Sequence, residues 1–366
     1  MLNARYIMVG GFLGAGKTTA ILRLAQLLEA EGQRIGLITN DQSVGLVDTQ
    51  MLSSHGYATE EITGGCFCCK FTSLMEAASK LTTETAPDIL IAEPVGSCTD
   101  LKATVSYPLQ QMYGDQYSIA PLSVMIDPLR AARVLGLEAG KNFSQKVRYI
   151  YEKQLEEADI IVINKCDLLD ESQLGRLEDA LRKRFSNATL VRMIARTNQG
   201  ISDWWHMIQS QTLQQRAAMD VDYDVYAEGE ALLGWLNAGY QLEAAEEWDG
   251  NQLLDVIGRR VQQRIEAADG QVAHLKMTLS PDVGNDLAVA NLVRTESSIE
   301  LAFQLQSPLS AGSLTVNVRA EMGPDELKRI VQEELRDVFS SHRLKATPSH
   351  LEAFQPGRPT PTHRVT

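Results

Sequence analysis

Short apolar runs alternate with longer amphipathic stretches through residues 1–213 of the chain. The apolar runs predict strands at 5–10, 34–40, 88–92, 121–127, 159–163 and 188–193. The amphipathic stretches, in which Leu, Ala and Ile recur at helical spacing, predict helices at 17–31, 71–82, 144–157, 171–185 and 202–213. This alternation is typical of βαβ units, so we expect an α/β domain with a mostly parallel sheet flanked by helices.

The pattern changes at residues 214–226, which lose the helical periodicity and become acidic, and we place a linker there after a first domain at 1–213. Beyond the linker, the pattern predicts helices at 251–267 and 324–341 and strands at 271–279, 285–294, 298–306 and 313–319. We therefore expect a smaller C-terminal α+β domain at 227–343. Residues 344–366 contain four prolines and few apolar side chains, which predicts an extended or disordered Pro-rich tail.

The composition fits a soluble globular protein that is long enough for two domains: the chain has 366 residues, 44% of them hydrophobic and 22% charged. Its formal net charge of -13 argues against nucleic acid and membrane partners, because anionic surfaces bind cationic proteins. The sequence has no apolar run of the roughly 18 residues that a membrane span needs. Five cysteines form no spaced disulfide framework, so we expect a protein of the reducing cytoplasm that binds small molecules and other proteins.

Residues 11–18 read Gly-Phe-Leu-Gly-Ala-Gly-Lys-Thr and lie between the first predicted strand and the first predicted helix. This context is the one that a phosphate-binding loop requires, and it argues against a glycine-rich turn of purely structural role. The three glycines let backbone N–H groups point at phosphates, Lys17 adds a positive charge, and the Thr18 hydroxyl is expected on Mg²⁺. The predicted nucleotide-binding residues of this loop are Gly11, Gly14, Ala15, Gly16, Lys17, Thr18 and Thr19.

A second motif, Asn164-Lys165-Cys166-Asp167, follows the predicted strand at 159–163, and α/β sheets bind ligands at the carboxyl ends of their strands. The Asp167 carboxylate can accept hydrogen bonds from guanine N1–H and the N2 amino group, whereas adenine offers no such donors. Such a tetrapeptide also makes ordinary polar turns, but after a phosphate-binding loop it favours GTP, bound by Asn164, Lys165 and Asp167. Residues 194–197, Ile-Ala-Arg-Thr, stand where GTPases often have a base-supporting loop that begins with Ser.

Two acidic residues that follow predicted strands are candidates for binding Mg²⁺. Glu93 ends the strand at 88–92 and is followed three residues later by Gly96, whose N–H can sense a γ-phosphate. A solvated glutamate at a strand end is the structural alternative. Asp41, just after the second strand, is a candidate for Mg²⁺ or for orienting the attacking water. We assign catalysis to Lys17, Thr18, Asp41 and Glu93 without a conventional base, because phosphoryl transfer depends mainly on positioning and charge neutralisation.

Three cysteines lie within four positions of the segment Gly-Gly-Cys-Phe-Cys-Cys at 64–69. Thiolates bind Zn²⁺ and Cu(I) strongly, cobalt is also chemically allowed, and glycines let a short loop wrap around an ion. A buried apolar turn and a redox pair are the alternatives. Three thiols leave either a fourth ligand elsewhere or an open position, which suits metal transfer. Cys98 and Cys166 have no thiol neighbours in the sequence and are expected to be small buried side chains. The predicted transition-metal ligands are Cys66, Cys68 and Cys69.

Together these four motifs resemble the CobW-type metallochaperone GTPases, relatives of the GTPases that serve urease and hydrogenase maturation. The resemblance is specific over about residues 1–210 and weak beyond. It implies GTP hydrolysis with Mg²⁺ and a transition metal on the three thiols, zinc first and cobalt as the alternative. Two features depart from the family. The family often has Glu followed by Phe-Gly where this chain has Asp41-Gln42-Ser43, and the six histidines are dispersed, so metal storage is unsupported.

The resemblance also implies partners and a mechanism. The cysteine loop lies between nucleotide-sensing segments, so we expect γ-phosphate binding to order it and hydrolysis to release it. The expected partners are GTP, GDP and a client metalloprotein or cofactor enzyme, and the sequence leaves a homo-oligomer open. Two other classes compete with a metallochaperone. One is a GTPase that activates or protects a cofactor enzyme, such as a corrinoid enzyme, without carrying metal; the other is a regulatory module with negligible turnover.

Overall fold

The computed structural model describes residues 4–40, 47–213 and 215–365, and the chain divides into two compact units. The first unit comprises Met1–Val44, Met51–Ala227 and Pro359–Thr366, and the second comprises Gly45–Gln50 and Glu228–Arg358. The residues that we predicted as a linker, 214–226, belong to the first unit. Within the described residues, no helix has both the length and the apolar character that crossing a membrane requires.

The first unit is built on a parallel sheet. Its strands are β1 (Ala4–Gly11), β2 (Ile35–Asn40), β3 (Ala58–Ile62), β4 (Ile89–Glu93), β5 (Tyr117–Ile119), β6 (Ser123–Ile126), β7 (Ile160–Ile163) and β8 (Thr189–Arg192). Their order is β3-β2-β4-β1-β6-β7-β8, with β5 also paired to β1, and every pair is parallel. All residues of the central strands β2, β4, β6 and β7 are buried, because helices cover both faces of such a sheet.

Helices connect these strands and confirm the predicted α/β fold. They are α1 (Lys17–Ala30), α2 (Val47–Ser54), α3 (Phe71–Thr85), α4 (Tyr107–Tyr113), α5 (Pro128–Val134), α6 (Gln145–Glu157), α7 (Glu171–Arg184), α8 (Ile201–Ser210) and α9 (Tyr223–Ala231). The strands β3 and β5 and the helices α2, α4, α5 and α9 were not predicted. They are short, and β3 is a half-exposed edge strand of sequence Ala-Thr-Glu-Glu-Ile, so neither apolar runs nor periodicity mark them.

The second unit is a six-stranded antiparallel sheet with two helices, which confirms the predicted α+β domain. Its strands are β9 (Leu233–Trp248), β10 (Gln271–Pro281), β11 (Ala288–Leu292), β12 (Glu300–Phe303), β13 (Leu309–Glu321) and β14 (Lys345–Phe354), in the order β12-β11-β10-β13-β9-β14. The helices are α10 (Gly250–Ala267) and α11 (Pro324–Ser341). Their buried leucine, isoleucine and valine side chains pack with those of the sheet into one core.

β9 and β14 were not predicted as strands from the sequence. β9 pairs with β13 on one side and with β14 on the other as far as Glu243, and its last residues, Ala-Ala-Glu-Glu-Trp, pair with β13 only at Trp248. β14 occupies the first part of the expected tail at 344–366. Pro348 is tolerated because β14 is an edge strand whose register shifts between Pro348 and His350.

Candidate functional site

The loop between β1 and α1 has a backbone that requires glycine. Gly11, Gly14 and Gly16 have φ angles of 127°, 78° and 90°. A Cβ at Gly11 would lie 2.2 Å from a backbone oxygen of β6, and one at Gly16 would lie 2.4 Å from the Asn164 side-chain nitrogen. Helix α1 begins at Lys17, and its N-cap, Gly16, has no side chain to accept from the first N–H groups. An uncapped helix N-terminus of this kind binds anions, so the loop fits phosphate.

Lys17, Thr18 and Glu93 form a buried cluster beside this loop. Lys17 Nζ donates to the Gly11 carbonyl oxygen at 2.9 Å and lies 3.7 Å from Glu93 Oε1. Thr18 Oγ1 donates to the same Glu93 oxygen at 3.2 Å. Glu93 reaches the loop because it ends β4, the parallel neighbour of β1. A hydroxyl and a carboxylate this close offer the hard oxygen donors that Mg²⁺ prefers, so the donor set fits that ion.

The remaining predicted residues of the phosphate side have mixed outcomes. Gly96 packs against the loop, since a Cβ there would lie 3.0 Å from the Leu13 backbone nitrogen. Thr19 lies in the first turn of α1. The Ala15 N–H donates to the Phe12 carbonyl oxygen at 3.2 Å. Asp41 lies outside the described residues, so its predicted role in binding Mg²⁺ or water stays a prediction.

Asn164 and Lys165 tie the predicted guanine site to the phosphate loop. Asn164 Nδ2 donates to the Ala15 carbonyl oxygen at 2.9 Å, while its Oδ1 accepts from the Ala195 N–H at 3.0 Å. Lys165 has a φ of 57°, and its Nζ donates to the Gly14 carbonyl oxygen at 2.8 Å. Through these contacts both residues support the loop backbone. They also bring residues 194–197 to the site despite their atypical first residue.

Asp167 lies at the exposed end of this arrangement. Its side chain is 35% exposed, and Oδ2 lies 3.3 Å from an Arg196 guanidinium nitrogen. Because exposed ion pairs are weak, this pair leaves the carboxylate available to a ligand with matching donors. The N1–H and N2 groups of guanine are such donors.

Two residues that the sequence analysis missed support the same loop. Asp127 caps α5 by accepting from the Arg130 N–H at 3.1 Å, and its second oxygen lies 3.3 Å from Lys165 Nζ. The buried Arg130 guanidinium donates to the Leu13 carbonyl oxygen at 2.8 Å and lies over the rings of Phe12 and Phe143. An aspartate followed by proline at the end of a predicted strand is a helix-start signal that would have pointed to Asp127.

The three cysteines of the 64–69 segment bring their sulfurs together. The distances between Sγ atoms are 2.9 Å for Cys66 and Cys68, 3.1 Å for Cys66 and Cys69, and 3.8 Å for Cys68 and Cys69. Cys66 and Cys68 are buried, and Cys69 is half-buried. Sulfurs around a tetrahedral zinc ion with Zn–S bonds of about 2.3 Å lie about 3.8 Å apart. Opening two of the distances by less than about 1 Å therefore produces that geometry.

A thiol from elsewhere in the chain contacts Cys66 but lies outside the group of three sulfurs that are all within 4.8 Å of one another. The Cys98 side chain is buried, as expected, and its thiol interacts with the Cys66 thiol. Hydrogen bonds from Cys68, Cys69 and Cys98 hold the pKa of Cys66 well below its ordinary value. The hydrogen bond to Cys66 and burial raise the pKa of Cys68. Cys166 is buried as expected, and its thiol donates to the Ile163 carbonyl oxygen at 3.0 Å.

The ends of two neighbouring strands hold the cysteine loop. Asn40, the last residue of β2, donates from Nδ2 to the Ile62 carbonyl oxygen at 3.0 Å and to the Gly65 carbonyl oxygen at 2.7 Å. Cys98 lies five positions after Glu93, the last residue of β4. Because β2 and β4 are parallel neighbours, the sheet delivers both contacts to the same edge. Asn40 directly precedes Asp41 and Cys98 follows Gly96 by two positions, so the cysteine loop is held by residues next to the predicted Mg²⁺ and γ-phosphate residues.

Comparisons with known proteins agree with this arrangement. Residues 5–192, just over half of the chain, match the family model described as CobW/HypB/UreG, nucleotide-binding domain. A zinc chaperone CobW of Sinorhizobium sp. is 31% identical over 198 residues, which are 49% of this chain and 55% of that protein. The zinc-regulated GTPase metalloprotein activator 1 of Dictyostelium discoideum is 25% identical over 213 residues, 50% of this chain and 44% of that protein.

A third relative, the zinc chaperone YeiR of Escherichia coli strain K12, is 30% identical over 161 residues, 44% of this chain and 46% of that protein. The chain thus spans about half the length of the curated relatives it matches. The matched region contains the phosphate loop, the cysteine cluster and the Asn164–Asp167 motif. The resemblance inferred from these motifs is confirmed, and the chain belongs to the CobW/HypB/UreG family.

Proposed function

We propose that this protein is a GTP-hydrolysing metallochaperone in which the nucleotide state controls a transition metal held by Cys66, Cys68 and Cys69. One observation carries the proposal. The segment that begins at Glu93, against Thr18 and Lys17, ends at Cys98, against Cys66. A displacement at the nucleotide end of this short segment is transmitted along the backbone to the thiol end.

The predicted phosphate-side residues supply positioning and charge neutralisation for hydrolysis. Bound Mg²⁺ would neutralise charge on the β- and γ-phosphates, held by the oxygens of Thr18 and Glu93. Lys17 exchanges the Gly11 carbonyl oxygen for phosphate oxygens, and the loop N–H groups donate hydrogen bonds to the other phosphate oxygens. Gly96 lies against the loop backbone, where its N–H can meet a γ-phosphate. Asp167 selects guanine by exchanging its ion pair with Arg196 for hydrogen bonds from the base.

Zinc is the metal that we propose for the three thiols, with cobalt as the alternative. The relatives are named zinc chaperones and a zinc-regulated GTPase, and thiolates are ligands that bind zinc well. Three motif ligands leave one coordination position for a ligand from a client metalloprotein, which is the arrangement that transfer requires. Such a client is the partner that we propose.

Nucleotide and metal must influence each other reciprocally in this scheme. If the GTP-bound protein binds zinc more tightly than the GDP-bound protein, zinc must strengthen GTP binding by the same factor. The coupling is expected at about 1–3 kcal/mol, a five- to 150-fold difference in affinity. The coupling between nucleotide and zinc would act through the two segments that hold the cysteine loop, at Asn40 and at Cys98.

The test is a competition titration of zinc against a chelator, with the protein saturated by a non-hydrolysable GTP analogue or by GDP. Wild type should show different zinc affinities in the two states. Cys68→Ala should lose tight zinc binding and keep GTP binding. Equal zinc affinities in both nucleotide states would refute the coupling. Absence of zinc binding with normal GTP hydrolysis would favour a GTPase that acts on a cofactor enzyme without carrying metal.

A further inference from the structure

The C-terminal segment of the chain, residues 359–365, lies along the cysteine loop. The Thr360 N–H donates to Cys69 Sγ at 3.2 Å. Two residues later, the Thr362 N–H donates to the Cys68 carbonyl oxygen at 2.9 Å, and the Thr362 hydroxyl donates to the Cys69 carbonyl oxygen at 3.3 Å. The segment therefore contacts the Cys69 sulfur and the backbone of two cysteines.

Arg364 anchors the end of this segment in the first unit. Arg364 Nε donates to Asp100 Oδ2 at 2.7 Å, and that carboxylate also accepts from the Tyr223 hydroxyl at 2.7 Å. Asp100 is buried, so the ion pair is shielded from water and its loss would leave a buried charge with one donor fewer. The Val365 N–H donates to the Ala103 carbonyl oxygen at 2.8 Å, and the His363 ring lies 4.9 Å from that of Phe71, edge to face.

The sequence of the segment favours this extended docking. Thr360 lies between Pro359 and Pro361, and each proline fixes its own φ while keeping the preceding residue out of the helical region. A chain that is already extended loses less conformational entropy when it docks. The prolines that predicted an extended or disordered tail thus favour an extended segment here.

The position of the segment matters because of which thiol it contacts. Cys66 and Cys68 are buried, whereas Cys69 is half-buried and is the cysteine of the cluster that solvent reaches. A metal ion leaving for a client must pass this side of the cluster. The Thr360 N–H points at the sulfur on that side.

We propose that residues 359–365 belong to the metal site. The Thr360 N–H donates an outer-sphere hydrogen bond to the Cys69 thiolate, and the docked segment slows release of the metal until the segment detaches. This inference rests on the proposed metal-binding function. Hydrogen-bond partners of metal ligands orient the ligands and tune their basicity, and their loss typically weakens metal binding 10- to 100-fold. The anchor at Asp100, two residues after Cys98, ties the segment to the stretch that starts at Glu93.

The test uses the full chain loaded with zinc and measures the rate at which a chelator in excess removes it. Thr360→Pro deletes the N–H donor, whereas Thr360→Ala keeps it and serves as the matched control. We expect zinc loss from Thr360→Pro to be about tenfold faster than from wild type, with Thr360→Ala unchanged. Arg364→Ala, which releases the anchor, should also speed zinc loss and keeps the test valid if Thr360→Pro folds poorly.

The absorption spectrum of the cobalt-loaded protein provides a second measurement, which should not change if the tail has only a structural role. Loss of the Thr360 N–H should shift the thiolate-to-cobalt charge-transfer band in Thr360→Pro and leave it unchanged in Thr360→Ala. Zinc-loss rates of Thr360→Pro and Arg364→Ala within twofold of wild type would overturn the inference while leaving the metallochaperone proposal intact. A wild-type protein that binds no zinc would instead overturn the metallochaperone proposal itself.

Discussion

Replacing Glu157 by glutamine should change how the stability of the protein depends on pH. Glu157 lies at the end of α6, where Oε1 accepts from the Thr99 hydroxyl at 3.3 Å and Oε2 accepts from the Lys102 N–H at 3.0 Å. Burial raises the pKa of this carboxyl from 4.5 to about 8, and the nearby Asp100 charge acts in the same direction. The folded protein therefore keeps a proton on Glu157 at pH values where the unfolded chain has released it.

The sign and size of the effect follow from this difference in bound protons. Between pH 4.5 and about 8, the folded state binds more protons than the unfolded state, so the free energy of unfolding falls as pH rises. At 1.36 kcal/mol per pH unit, the loss across this window is up to about 5 kcal/mol. Glutamine is neutral in both states and removes this contribution. Relative to wild type, Glu157→Gln should therefore become steadily more stable from pH 5 to pH 8.

The measurement is urea-induced unfolding of wild type and Glu157→Gln at several pH values between 5 and 8. Glutamine cannot accept with both side-chain atoms, so a fixed offset of about 1 kcal/mol is expected at every pH. The pH dependence of the difference is what tests the reasoning. Glu156→Gln, one position earlier on the exposed side of α6, is the matched control and should follow wild type. Parallel stability curves for wild type and Glu157→Gln would refute the reasoning.

Three further predictions concern the nucleotide site. Lys17→Ala removes the charge that faces the phosphates and should lower GTP turnover by about 10²- to 10³-fold in a phosphate-release assay; turnover within tenfold of wild type would contradict this role. Asp167→Asn removes the charge from an acceptor of hydrogen bonds that are each worth about 1.5–3 kcal/mol, so calorimetry should show a GTP affinity at least tenfold lower. Zinc binding measured without nucleotide should stay unchanged. An unaltered GTP affinity would remove Asp167 from the guanine site. Asn164→Ala leaves the Ala15 carbonyl and the Ala195 N–H without their side-chain partner, so the free energy of unfolding in urea should fall by about 2–4 kcal/mol. The control, Asn187→Ala, replaces an exposed side chain and should cause no such loss. Equal losses in the two variants would contradict the bridging role of Asn164.

The local motifs could be read from the sequence because their geometry is decided within a few residues. The glycines of residues 11–16 specify the positive φ angles of the loop, and Lys17 starts the following helix wherever the loop lies. The cysteines at 66–69 are close in sequence, so one turn before α3 brings their sulfurs within 4.8 Å of one another. The parallel sheet was also predictable, because its buried strands are continuous apolar runs.

Secondary structure was less predictable where pairing decides it. β9 was not predicted from the sequence, and its strand conformation depends on two partner strands that lie far away in the chain. Pairing with β9 makes residues 345–354, the first part of the predicted tail, an edge strand. Residues 359–365 have too few apolar side chains to predict a packed position, and backbone hydrogen bonds and one buried ion pair place them.

The sequence by itself determined the α/β class, the phosphate loop, the position of the Asn164–Asp167 motif and the three-cysteine cluster, since each depends on local composition or on strand ends. Only the tertiary structure decided how these parts join. The Cys98 thiol contacts the Cys66 thiol, and Asn40 donates a hydrogen bond to the Gly65 carbonyl. Thr360 donates a hydrogen bond to Cys69, which lies nearly 300 positions earlier in the chain. Such contacts leave no periodic or local signal, because they depend on which strands are neighbours and on where the chain returns. Those contacts place the three-cysteine cluster beside the phosphate loop.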